Sequence, residues 1–319
     1  MKMNIACSTD DRFAPYCGIM LTSLFENNKK NSFSVYIMSR DLSEENRTKF
    51  DTLARRYSVE INILDMNKYE WRNCPIREED YISIETYFRL VLPDALPHSV
   101  HKILYLDSDI IINAPIDSLY MQDIRDVPLG ACTDLLISDE VVTLLGIEKK
   151  KYFNAGVLLI NIDYFRSFHL LAKCYEIINS CPDKLRYCDQ DVLNLVTYRN
   201  HQIRYLDTTY NFLTTYSIRT VFNSFPEDIK RRVARCAQNP AIIHFTSPEK
   251  PWHKLYASLY KSLFFYYKEK SLWADTPLQK NYRTLKQYLG WHRVLLEIKI
   301  GLRKPPYMTM KELRKLSNL

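Results

Sequence analysis

Short apolar runs alternate with amphipathic stretches through the first two-thirds of the chain. Met3–Cys7, Ser34–Met38, Glu60–Leu64, Lys102–Leu106, Leu129–Thr133, Val157–Asn161 and Ala241–Phe245 read as strands. Between them, Tyr16–Asn28, Thr86–Val91, Asp163 to about Ser180, and Asp189–Tyr198 read as helices, and Ser43 is placed to cap another that runs to about Tyr57. The Thr86–Val91 helix is expected to end at Pro93. Strands and helices in alternation predict an α/β fold with a mostly parallel sheet and right-handed crossovers. Ligands of such sheets bind beyond the carboxyl ends of the strands. Pro-containing loops at Pro93–Pro97 and Pro248–Pro251 mark breaks, and the second is expected to separate a domain of residues 1–253 from a helical tail of residues 254–319. There is no internal repeat and no low-complexity segment.

Composition narrows the chemistry. With 319 residues the chain can bury a core without disulfide or metal staples. It has only 6 glycines and shows neither a G-x-G-x-x-G nor a Walker A pattern, so any phosphate must be bound without a glycine loop. The 8 cysteines include no C-x-x-C, and the regular Cys174, Cys181, Cys188 spacing is too wide for a zinc pair, so free, mostly buried thiols are expected. No apolar run approaches the roughly 18 residues that span a bilayer. Asp10 and Asp11 interrupt the start before a signal-peptide core could form, which leads to the expectation of a cytoplasmic protein.

Charge is unevenly spread. Residues 254–319 carry 14 of the 44 Lys and Arg but 4 of the 37 Asp and Glu, so all of the basic excess lies in the tail. The same segment holds Tyr256, Tyr260, Phe264, Tyr267, Trp273, Tyr288 and Trp291. Basic charge beside Trp and Tyr suits an anionic membrane surface. A helical appendix packing its aromatics on the core is the plainer reading, and nucleic acid is the least favoured.

Six segments carry candidate chemistry. Asp107-Ser108-Asp109 follows a buried strand, where a bend lets two carboxylates converge on a divalent ion such as Mg²⁺ or Mn²⁺. An acidic turn is the ordinary alternative. His244, at another strand end, could complete that shell, and Lys250 in the following Pro-flanked loop could pair with a phosphate. Asn154-Ala155-Gly156 precedes a buried strand, where small residues allow close backbone approach and Asn154 offers a donor and an acceptor to sugar hydroxyls. Asp189-Gln190-Asp191 opens a helix, where acidic residues also serve the helix dipole. Asp10 and Asp11 follow the first strand, the usual nucleotide position, and Arg89 on its short helix could reach a phosphate or a sugar.

In their order along the chain these segments resemble glycosyltransferase family 8, closest to its bacterial lipopolysaccharide branch, over roughly Asn4 to His253. The matching segments are Ser8-Thr9-Asp10-Asp11, Ile82 through Leu90, Leu104 through Asp109, Gly130 through Asp134, Phe153 through Leu158, Asp189-Gln190-Asp191 and His244 through His253. The resemblance implies a GT-A fold, a UDP-glucose or UDP-galactose donor, and Mn²⁺ (or Mg²⁺) held by Asp107, Asp109 and His244. Ser8, Asp10 and Asp11, with Ser108, Ala155, Gly156, Ser247 and Lys250, then line the nucleotide and diphosphate. Arg89, Asp134, Asn154, Asp189 and Gln190 surround the donor sugar. The tail matches the membrane-associating tail of bacterial members, placing the protein on the cytoplasmic membrane face with a saccharide or lipid-linked acceptor and no nucleic acid. Two positions depart from the family pattern. Ser247 stands where glycine is common, so its N–H reaches a diphosphate only if its φ is allowed, and Arg12 replaces an Asn or Lys.

The implied reaction is hexosyl transfer with retained configuration. A front-face path needs no protein nucleophile and is favoured over a double displacement through Gln190 or Asp189, because an amide is a poor nucleophile. A metal-dependent nucleotidyltransferase would share the paired carboxylates but would carry a basic, Gly-containing signature early in the chain, which Ser8-Thr9-Asp10-Asp11 lacks. A non-catalytic, membrane-associated sugar-nucleotide binder with a degenerate site is the remaining alternative.

Overall fold

A computed structural model describes residues 1–76, 83–198 and 202–317. Ile82, at the head of the segment around Arg89, lies outside the described residues, as do the last two positions of the expected tail. Among the described residues a seven-stranded sheet runs in the order β3-β2-β1-β4-β7-β6-β8. Its strands are β1 (Lys2–Ser8), β2 (Ser32–Ser39), β3 (Glu60–Asp65), β4 (Lys102–Leu106), β6 (Leu129–Thr133), β7 (Phe153–Asn161) and β8 (Arg204–Tyr205). Strands β1 to β4 pair in parallel, whereas β7 runs antiparallel to both β4 and β6. A second sheet joins β5 (Ile110–Ile112), β10 (Ile242–His244) and β9 (Phe212–Leu213). The fold is thus α/β with a mostly parallel mixed sheet, as the alternation predicts.

Apolar residues on both faces of the large sheet explain why its strands read as continuous hydrophobic runs. The Ala14–Asn27 and Glu44–Tyr57 helices cover one face, burying Leu21, Leu24, Phe50 and Leu53. Ser43 caps the second of these by accepting from Asn46 N–H at 3.3 Å. Tyr87, Phe88, Phe165, Cys174 and Val192 cover the other face. The eight cysteines are free, and six of them are buried.

Three expectations need correction. Pro93 does not end the helix before it. It opens the next one, Leu92–Ala95, at a position where its missing N–H costs nothing. The stretch from Asp163 to Ser180 is two helices, Ile162–Ser167 and Leu170–Ser180, broken where His169 takes φ 51°. Residues 254–273, expected to open the tail, contribute five aromatic side chains to the core. Tyr256, Tyr260, Phe264 and Tyr267 pack with Phe212, Ile243 and Trp252, while Trp273 joins the cluster beneath the Ala14–Asn27 helix. Trp273 donates from Nε1 to Asn46 Oδ1 at 2.8 Å, and its ring fills the space above Gly18, where a Cβ would lie 2.0 Å from ring carbon Cζ3. These five aromatics are therefore unavailable to a membrane. No helix among the described residues is long and apolar enough to cross one.

Candidate active site

The chain turns to opposite sides of the sheet at β1 and β4, and the ends of these two strands open into one cleft. Such a reversal leaves a crevice at the carboxyl edge. Ser8, Asp10 and Phe13 line it from β1, and Tyr105, Asp107, Ser108 and Asp109 from β4. A deeper hollow of about 280 Å³ adjoins it, lined by Asp134, Asn154, Ala155, Gly156, Asp189, Gln190, His244 and Ser247. Thr86, Arg89, Asp107, Asp109 and Lys250 border both.

Strand register brings the acidic pair to the histidine. β10 runs antiparallel to β5 with His244 opposite Ile110, so His244 sits beside Asp109, and Phe245 N–H donates to Asp109 O at 2.9 Å. On the other side Asp107 N–H donates to Gly156 O at 2.9 Å. His244 Nε2 lies 3.1 Å from Asp109 Oδ1 and 3.8 Å from Asp107 Oδ2. One ligand atom from each of Asp107, Asp109 and His244 falls within 4.8 Å of the others, a donor set of two carboxylates and an imidazole that fits a divalent cation. Gly156 makes the convergence possible, because a Cβ there would stand 2.2 Å from His244 Cε1 and 2.8 Å from Asp107 Oδ2.

Contrary to the expectation that it precedes the strand, Gly156 lies within β7. The register against β6 slips there, with Ala131 opposite Leu158 but Cys132 opposite Asn154. Residues 155–157 thus lack β6 partners, and two backbone N–H groups turn to side chains. Ala155 N–H donates to Gln190 Oε1 at 3.0 Å, and Gly156 N–H to Asn154 Oδ1 at 3.0 Å. Gln190 Nε2 donates to Tyr152 Oη at 3.1 Å and to Asp134 Oδ2 at 3.4 Å. Burial raises the Asp134 carboxyl above its ordinary range.

Arg89 is, with Lys250, a buried cation of the site. It donates from Nη2 to Asp107 Oδ1 at 2.9 Å, and its guanidinium carbon lies 4.2 Å from the Tyr105 ring centroid. Burial disfavours its charge, but Asp107 and Asp189 outweigh that and hold it protonated. Asp189 Oδ2 is 2.9 Å from Arg89 Nε, yet that N–H points to Thr86 O, leaving the pair charge-matched without an aligned hydrogen bond. Burial pushes the Asp189 carboxyl up to about 6, against the opposing pull of Arg89 and the Thr86 hydroxyl.

The remaining expected residues divide. Lys250 Nζ donates to Asp109 Oδ2 at 2.6 Å and to Phe245 O at 2.9 Å. Ser247 lines the pocket with φ 95°, a conformation that favours glycine, while its hydroxyl donates to Glu249 O at 3.1 Å. Asp10 accepts from Phe13 N–H at 2.7 Å and pairs with the exposed Arg12. Asp11 is not brought to the cleft. Its carboxylate accepts from Ser43 N–H at 2.8 Å and Asn46 Nδ2 at 2.7 Å, which ties the loop after β1 to the second helix. Asp191 serves structure, accepting from the N–H groups of Arg186 and Tyr187 at 2.6 and 2.7 Å. Sequence reasoning missed Asn211, which bridges His244 and Asn154. It lies 33 and 57 residues from them, in a segment with no motif of its own.

The sequence profile described as glycosyl transferase family 8 matches residues 4–256. A putative glycosyltransferase of Haemophilus influenzae is 30% identical over 79% of this chain and 73% of its own length. The lipopolysaccharide glucosyltransferase WaaO of Escherichia coli K12 is 29% identical over 87% of this chain and 81% of its own. Among solved structures, the galactosyltransferase LgtC in complex with donor and acceptor sugar analogs superposes with a TM-score of 0.75 at 25% identity, covering 91% of this chain and 100% of LgtC. The GT-A architecture is thus shared as well as the sequence. With the acidic pair, the histidine and Lys250 all inside the matched segment, the chain is a glycosyltransferase and belongs to glycosyl transferase family 8.

Proposed function

We propose that this protein moves glucose or galactose from a UDP-sugar to a saccharide acceptor with retention of configuration, in the synthesis of lipopolysaccharide or another surface glycan. The observation that carries this reading is the convergence of Asp107, Asp109 and His244 beside Lys250, facing Asp134, Asn154, Asp189 and Gln190 across one hollow. Asp107, Asp109 and His244 would hold Mn²⁺ or Mg²⁺. A divalent cation there supplies positive charge against the charge that builds on the departing diphosphate.

The chain's own residues do the rest. Ser8, Asp10 and Ser108 line the shallower cleft that would take the uridine. Lys250 turns from Asp109 to the diphosphate as a point charge. Arg89 positions Asp107 and Asp189 together. Gln190 has its oxygen held by Ala155 N–H and its nitrogen by Tyr152 and Asp134. An amide restrained at both ends is a fixed hydrogen-bonding wall rather than a nucleophile, which supports a front-face path.

The same reading places the protein on an anionic membrane surface at the cytoplasmic face. The Leu285–Lys299 helix buries none of its residues in the chain. Leu285, Leu289, Leu296 and Ile300 are between 57% and 69% exposed, and Lys286, Arg293, Lys299 and Arg303 flank them. Leu289→Glu with Leu296→Glu is expected to release the protein from vesicles containing anionic lipid while turnover survives.

The deciding experiment is UDP release from UDP-glucose and UDP-galactose, with Mn²⁺ or with EDTA, by wild type and Asp109→Ala. Mn²⁺-dependent release lost in the variant supports the reading and identifies the sugar. No release from either donor, with no thermal stabilisation by UDP and Mn²⁺, points to another nucleotide sugar or a degenerate site.

A further inference from the structure

The orientation of His244 is settled by a backbone N–H two amides away. Gly156 N–H can only donate, so the atom of Asn154 that it meets at 3.0 Å must be the acceptor Oδ1. Asn154 Nδ2 consequently faces Gln190 Oε1 at 3.1 Å, and that oxygen is identified independently by Ala155 N–H. Asn154 Oδ1 also lies 2.8 Å from the side-chain amide of Asn211, which must therefore present its donor, Nδ2. Only Oδ1 of Asn211 is left to face His244 Nδ1, at 3.0 Å. A carbonyl oxygen accepts, so Nδ1 carries the proton. Nε2 is the ring nitrogen on the side of Asp107 and Asp109. Reversing either amide would set donor against donor or acceptor against acceptor in a region where Asn154, Asn211 and His244 are all buried.

We propose that Asn211 is a positioning residue that holds the His244 proton on Nδ1, keeps Nε2 available as a ligand atom, and ties this choice to Asn154 at the donor-sugar end of the pocket. The proposal rests on the reading of Asp107, Asp109 and His244 as a cation site. Histidine ligands generally have their second nitrogen fixed in this way, and losing the fixing group costs about tenfold to a hundredfold in metal affinity. Here the fixing group is a neutral amide with a second bond. A carboxylate in its place would accept equally from Nδ1 but would repel Asn154 Oδ1.

The test has two arms on the full-length chain. In the first, ¹⁵N-histidine spectra of the wild type are recorded metal-free and with Mg²⁺ and UDP, with His244 assigned by difference against His244→Asn. A directly bonded proton on Nδ1 in both states is expected. A bare Nδ1 overturns the proposal, and this arm needs no altered fold. In the second, Mn²⁺ affinity in the presence of UDP is measured by electron paramagnetic resonance for wild type, Asn211→Leu and Asn211→Asp. The leucine variant should lose about tenfold to a hundredfold. The aspartate variant should stay within a few-fold of wild type in metal affinity yet show a raised KM for the UDP-sugar. Equal losses in the two variants would mean Asn211 acts by packing alone and would overturn the proposal. If the wild type binds no Mn²⁺ with UDP, the cation site itself fails, while the first arm still decides where the His244 proton sits.

Discussion

Lys250 Nζ lies 2.6 Å from Asp109 Oδ2, on a carboxylate that also faces His244 Nε2 at 3.1 Å. Burial works against the Asp109 charge, but the Lys250 ammonium outweighs it and holds the carboxyl well below the usual carboxylate range. Lys250, proposed above to meet the diphosphate, therefore offsets the Asp109 charge in this structure. Removing one partner of a buried pair leaves the other charge uncompensated.

Lys250→Met should therefore act in opposite directions on metal and turnover. Mn²⁺ without nucleotide should bind more tightly, by about tenfold, because the cation relieves the stranded carboxylate. Turnover of the UDP-sugar should fall roughly 100- to 1000-fold, because the charge proposed to meet the leaving group is gone. Calorimetric titration and UDP release measure the two. Unchanged or weaker Mn²⁺ binding would contradict the competition between lysine and cation.

Gly156→Ala should disable the cation site more than the fold. Its Cβ would meet His244 Cε1 at 2.2 Å and Asp107 Oδ2 at 2.8 Å, so two of the three proposed ligand residues must move. Overpacking of this kind costs about 1–3 kcal/mol of stability. Mn²⁺ affinity should fall at least about tenfold. Denaturant melts beside metal titration separate the effects, and an intact metal affinity would refute the argument.

The segment after His253 offers a test of where the folded unit ends. Trp273→Ala should cost about 3–5 kcal/mol, because it empties the space above Gly18 and strands Asn46. A chain ending at His253 should lack a cooperative urea transition. Leu289→Glu with Leu296→Glu, on an exposed surface, should shift stability by no more than about 0.5 kcal/mol.

Acid should weaken the docking of the Met310–Ser317 helix. Arg219 grips Glu312 with both carboxylate oxygens, at 2.9 and 3.0 Å, and docks the Met310–Ser317 helix. This hydrogen-bonded pair lowers the Glu312 carboxyl from its ordinary 4.5 to about 2. A depressed carboxyl stabilises above its unfolded value and loses that contribution as the pH falls through its folded value. Both side chains remain partly exposed, so Arg219→Met should cost about 1 kcal/mol at neutral pH. The difference from wild type, followed by urea melts, should shrink between about pH 5 and about pH 2.5. A constant difference would assign the effect to packing.

Ser247→Gly should stabilise the fold. A non-glycine residue at φ 95° bears about 1–3 kcal/mol of strain, and the greater freedom of glycine in the unfolded chain offsets part of the gain. A net increase of about 1 kcal/mol is expected in a urea melt. A loss would show that the Ser247 hydroxyl bond to Glu249 O outweighs the strain.

Much of the frame was legible because its signals are local. The apolar runs of β1, β2 and β4 and the Ser43 cap are written within a few neighbouring residues, and each element formed where its pattern lay. The acidic pair was legible for the same reason, since it directly follows a buried strand. Asp11 shows the limit. Its type and place suited a nucleotide, yet Ser43 and Asn46 claim its carboxylate across 32 and 35 residues.

By itself the sequence determined the alternation of strands and helices, the position of Asp107 and Asp109 at a strand end, and the basic excess of the tail. Tertiary structure alone decided that β10 sets His244 beside Asp109, that a slip between β6 and β7 frees the N–H groups of Ala155 and Gly156, that Asn211 joins His244 to Asn154, and that Trp273 belongs to the core. The physical reason is range. Periodicity and capping act within a turn or a strand, whereas register, shared hydrogen bonds and the filling of one cavity by a distant ring depend on which segments meet.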